Sequence, residues 1–132
     1  MLTLLKRYPL SLLIIAVVTY LSFFRTPSTS LNDIPNIDKV VHVCMYFGMS
    51  VMLWFEFLRG HREGKVSLWH AIIGATICPL IYGGLVEIFQ ENATDYRSGD
   101  WIDFAADAAG VLLATLFALF VMRRYLWNSS KK

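Results

Sequence analysis

Four stretches of this chain stay apolar for about as long as a bilayer is thick, and nothing else in it limits the fold so strongly. A membrane-crossing helix needs roughly 20 mostly apolar residues. Residues 8–24, 40–58, 68–89 and 101–122 reach or approach that length. A mean hydropathy of +0.51 and a hydrophobic content of 56% leave too little polar surface to clothe a soluble domain of 132 residues. The expectation is a single all-α domain over residues 1–132, a four-helix transmembrane bundle. The first run is the weakest, since it carries Thr19, Tyr20 and Ser22. Its Lys6-Arg7 start, with Ser28 and Ser30 beyond, would also suit a cleavable signal peptide. The long apolar run and the lack of an A-x-A site favour an uncleaved first span.

Basic residues set the expected orientation, because Lys and Arg accumulate on cytoplasmic loops. Lys6, Arg7, Arg59, Arg62, Lys65, Arg123, Arg124, Lys131 and Lys132 fall on one side, nine of the 12 in the chain. Arg25, Lys39 and Arg97 fall on the other. Both termini are therefore expected in the cytoplasm. Tyr8, Trp54, Trp69, Tyr125 and Trp127 would then sit near the inner interface, and Tyr96 and Trp101 near the outer one. The net charge of +2 gives no nucleic-acid signature.

Local signals agree with the spans. Asp38 is placed to cap the second helix, and Ser98 or Asp100 the fourth. Pro79, with Gly83 and Gly84 after it, should bend or soften the third. Ala106, Gly110, Ala114 and Ala118 recur every four residues and predict a close-packing face. Cys44 and Cys78 read as buried, inert thiols rather than a disulfide. Glu56, one turn before Arg59, reads as half of an ion pair at the inner end. His61 and His70 read as solvated. The Asn92-Ala-Thr94 triplet matches a glycosylation sequon, a pattern frequent by chance. There is no G-x-S-x-G, no H-E-x-x-H and no phosphate-cradling glycine loop.

Ionisable residues nevertheless crowd the outer ends of the apolar runs. Residues three or four apart share a helix face. Lys39, His42 and Tyr46 share one; Glu87 and Gln90 share another, with Glu91 beyond; Asp100, Asp103 and Asp107 share a third. Arg97 lies in the connecting loop. A carboxylate at the centre of a spanning helix costs about 2.5–3.5 kcal/mol on insertion scales, so such stripes turn inward. The expectation is a polar pocket open to the outside. His42, Glu87, Asp103 and Asp107 are its candidate acids, bases or ion ligands. Competing explanations are a small transport component, with Asp103 and Asp107 as a proton or cation relay, and an ion-pair network, with Arg97, Lys39 and a protonated His42 offsetting the carboxylates, that only staples the bundle.

These residues resemble the VanZ-like family of small bacterial integral membrane proteins. The resemblance rests on Asp38-Lys39, His42 and the Tyr46-Phe47 pair, then Glu87 and Gln90, then Arg97, Gly99-Asp100, Asp103 and Gly110. Asp107 departs from it, standing where the family has Asn. The resemblance implies a multi-pass protein of the bacterial plasma (inner) membrane. A lipid headgroup or cell-wall precursor is the kind of partner it suggests beyond the bilayer itself. Substrate, cofactor and metal are left unassigned by the motifs.

Overall fold

The computed structural model describes residues 2–23, 34–35, 37–93 and 101–125. Among these residues there are helices and no strands: α1 (Leu2–Arg7), α2 (Pro9–Phe23), α3 (Ile37–Arg62), α4 (Leu68–Ile72), α5 (Cys78–Ala93) and α6 (Trp101–Phe117). A π-helical turn, Ile73–Ile77, joins α4 to α5, and a second, Ala118–Met122, extends α6. Three continuous helices, Ile37–Arg62, Leu68–Asn92 and Trp101–Tyr125, are long and apolar enough to cross a membrane. The helix in the first apolar run is shorter. At 15 residues, α2 extends about 22 Å, against roughly 30 Å of hydrocarbon. It opens on Pro9, a residue suited to the first helical position because its missing N–H has no partner there anyway.

Large apolar side chains cover the outside of the bundle. Leu85, Ile88, Phe89, Leu112, Leu113, Leu116 and Phe120 are all exposed, while His42, Glu56, Glu87, Gln90 and Asp107 are buried. An exterior this apolar belongs in lipid. Cys44 and Cys78 also lie on that exterior, which corrects the expectation that they are buried.

Helix α3 packs most extensively against α6, and small residues are the reason. Gly110, Val111, Ala114 and Ala118 are buried along one face of α6, with Ala106 half-buried above them. A Cβ on Gly110 would collide with the carbonyl oxygen of Val43 and lie 2.9 Å from the Phe47 nitrogen. Backbone meets backbone there, so only glycine fits. Below it, Trp54 is fully buried and its indole N–H donates to Thr115 Oγ1 at 3.3 Å. Trp54 is thus a core residue of the contact between α3 and α6.

The short α2 is tied down by polar groups from its neighbours. Its first turn presents the N–H groups that a helix start leaves unpaired. Glu56 of α3 accepts from the Leu10 and Ser11 nitrogens, each at 3.0 Å, and from the Ser11 hydroxyl. A carboxylate also complements the positive end of the helix dipole. At the other terminus the Gln90 amide donates to the Ser22 carbonyl at 2.7 Å, and midway Thr19 bonds Tyr82. The expected pairing of Glu56 with Arg59 is corrected accordingly: Glu56 caps α2, and Arg59 reaches the Arg7 carbonyl at 3.5 Å.

Two further local expectations change. Helix α3 starts at Ile37, so Asp38 lies inside its first turn and bonds Lys39 at 2.7 Å instead of capping. The third apolar helix is relieved before Pro79 by the π turn, not at Gly83 and Gly84. Pro79 has no N–H for the carbonyl of Ala75, and the Ser50 hydroxyl donates to that carbonyl at 2.6 Å. Between α3 and α4, Gly64 takes φ +73°, with Gly64 N–H on the His61 carbonyl and Lys65 N–H on the Gly60 carbonyl, both at 2.9 Å. This paired closure needs a left-handed residue and ends α3 cleanly. His61 is tied into the same turn through Val66, at 2.7 Å, and His70 bonds Ser67, the residue that caps α4.

Candidate functional site

The end of the bundle where α3 and α6 begin and α5 finishes gathers the polar stripes. Helical spacing places Lys39, His42 and Tyr46 on successive turns of α3, Gly83 and Glu87 one turn apart on α5, and Asp103 and Asp107 one turn apart on α6. At the mouth, Lys39 Nζ bonds Asp103 Oδ1 at 2.6 Å as well as Asp38 Oδ2 at 2.7 Å. One turn deeper, His42 Nδ1 donates to Asp107 Oδ1 at 2.7 Å, while its Nε2 stands 3.8 Å from Asp103 Oδ2. The imidazole is therefore held between two carboxylates on adjacent turns of α6. Side-chain exposure falls from 24% at Lys39 to 14% at Asp103, 10% at His42 and 1% at Asp107.

The floor is formed from all three long helices. One ligand-capable atom from each of His42, Glu87 and Asp107 lies within 4.8 Å of the others, and all three residues are buried. Tyr46 is fully buried beside them. Gly83 leaves the space open: a Cβ there would sit 3.1 Å from Tyr46 Cε1 and 3.3 Å from Asp107 Oδ2. Among the described residues, Asp107 Oδ2 and the Tyr46 hydroxyl have no hydrogen-bond partner at this floor. Leaving a buried polar group unpaired costs about 1–3 kcal/mol, and more when it is charged.

Of the residues singled out from sequence, Lys39, His42, Tyr46, Glu87, Asp103 and Asp107 are placed at this end. Gln90 is also buried there, and its side-chain amide donates to the Ser22 carbonyl of α2. Arg97 and Asp100, with the Ser98 cap, lie outside the described residues. Gly83 is the member that sequence reasoning missed as part of the site. Its signal was its spacing, one turn before Glu87 on the same face.

At the opposite end is a cavity of about 390 Å³ lined by Thr3, Lys6, Arg7, Glu56, Arg59, Gly60, Glu63 and Lys65. The Lys65 ammonium, 2.8 Å away, holds the Glu63 carboxyl below its ordinary range. The two ends thus differ in kind: basic groups around a surface cavity at one, buried carboxylates around an imidazole at the other.

Comparison of the chain with family models, with curated proteins and with solved structures finds no match.

Proposed function

We propose that this chain is a VanZ-like multi-pass protein of the bacterial plasma membrane. Its His42–Glu87–Asp107 cluster, with Lys39 and Asp103 at the mouth, binds a ligand reached from the outer face. The asymmetry of basic residues puts both termini in the cytoplasm and the cluster toward the outside. A lipid headgroup or a lipid-linked cell-wall precursor offers charged groups at that depth. The observation that carries the reading is that, among the described residues, the buried Asp107 Oδ2 and Tyr46 Oη have no hydrogen-bond partner. A network kept only for stability satisfies its own atoms, as the one around Glu56 does. Polar atoms held unpaired in a buried pocket are better explained by a group that binds there. Turnover of the ligand is a second reading, favoured by the His42–Asp107 bond, which fixes the ring as a general base requires.

The test compares abundance with activity. His42→Ala and Asp103→Asn should reach near-normal levels in quantitative membrane blots and fail to complement the envelope phenotype of a deletion strain. Well-expressed variants that complement fully would reduce the cluster to scaffold. A headgroup-resolved lipid turnover assay on the purified protein then separates catalysis from binding.

A further inference from the structure

We propose that the floor of the cluster holds a single divalent metal ion of the first transition row, zinc or manganese in type, ligated by His42, Glu87 and Asp107. The proposal rests on the reading of this cluster as a site and names what occupies its deepest part.

Three observations support it together. First, the donor set is mixed, one imidazole and two carboxylates, with ligand atoms within 4.8 Å. Imidazole nitrogen suits zinc, iron and copper, whereas carboxylate oxygen suits manganese and magnesium. A mixed set therefore favours a borderline ion over calcium or magnesium, which take all-oxygen shells. Second, the three donors come from three different helices, so the site closes on a point between them and not on one helix surface. Third, Asp107 is 1% exposed and keeps one carboxylate oxygen without a hydrogen-bond partner among the described residues. That oxygen lies beside the space that a Gly83 side chain would fill.

Charge points the same way. Glu87 and Asp107 bring two carboxyl groups into an apolar bundle, while Lys39 is engaged by Asp38 and Asp103 nearer the surface. A divalent cation would cancel both charges, replacing the proton that His42 and Asp107 share. Buried charges are retained when paired or when they coordinate a metal. Three protein ligands leave a coordination position open. The fully buried Tyr46 hydroxyl, still unpaired, can donate a hydrogen bond to whatever fills that position. A phosphate or carboxylate oxygen of the ligand proposed above has the right chemistry.

The experiment uses the full chain purified in detergent, stripped with chelator and reloaded with zinc, manganese or cobalt alone. Bound metal is measured by mass spectrometry after gel filtration and affinity by titration calorimetry. The wild type should retain about one equivalent. Asp107→Asn and Glu87→Gln, which keep shape and elute as folded protein, should bind more weakly by at least the roughly 10–100-fold that loss of even an outer-shell partner costs. The double variant Cys44→Ser, Cys78→Ser should bind as the wild type does, and the cobalt form should show no thiolate charge-transfer band. Equal binding by wild type and Asp107→Asn, or binding lost with the cysteines, would overturn the metal. If His42→Ala then still fails to complement at normal abundance, the site stands without a metal. If it complements, site and metal fall together.

Discussion

Two buried carboxylates, Glu56 and Asp107, lie at opposite ends of one bundle and are treated in opposite ways. Both oxygens of Glu56 accept, from two backbone N–H groups and a hydroxyl of α2. Asp107 has one oxygen on His42 and the other without a partner among the described residues. Glu56 gives a short helix an anchor it cannot supply itself, and every atom is used. Asp107 is over-provided for its one structural bond. The contrast shows that burial of a charge is not by itself a mark of function, because the accounting of its lone pairs separates a staple from a site.

The comparison can be broken by measuring stability at both ends. The yardstick is Gly110→Leu, which forces a side chain between two touching backbones. It should give the largest loss, with little folded protein in membranes by blotting. Glu56→Ala comes next. It strands a buried and a part-buried N–H group at the start of α2, a buried unmade bond costing about 1–3 kcal/mol, and should lower the melting temperature in detergent sharply. Gln90→Ala removes the bond to the Ser22 carbonyl at the far end of the same helix, a loss of about 1 kcal/mol. Asp107→Asn should have the smallest effect, leaving the melting temperature of metal-free protein unchanged or raised, since it removes a charge that the fold does not fully use. If Asp107→Asn destabilises as much as Glu56→Ala, the two carboxylates are both staples and the contrast is false.

Much of the His42–Asp107 end could be read in the sequence, because its logic is local. Lys39, His42 and Tyr46, or Asp103 and Asp107, share faces by helical spacing alone, and the cost of charge in lipid turns those faces inward. The other end could not be read so. Glu56 looked like a partner for Arg59 because the two are a turn apart, whereas its real partners lie 45 and 46 residues away. Cys44 and Cys78 were misplaced for a related reason. A helix that is apolar all round carries no mark of which side meets lipid and which meets another helix, so only tertiary packing decides it.

The π turn at Ile73–Ile77 also governs which changes of chain length this protein can absorb. A π turn holds about one residue more than an α turn, so losing a residue there returns the segment toward a regular helix. The faces on either side, Ala71 before it and Glu87 after it, would keep their relative direction. Losing a residue between Pro79 and Glu87 would instead swing Glu87 by roughly 100° away from His42 and Asp107. Insertions and deletions among descendants of this chain should therefore cluster at that one turn, which acts as a vernier between the two halves of the helix.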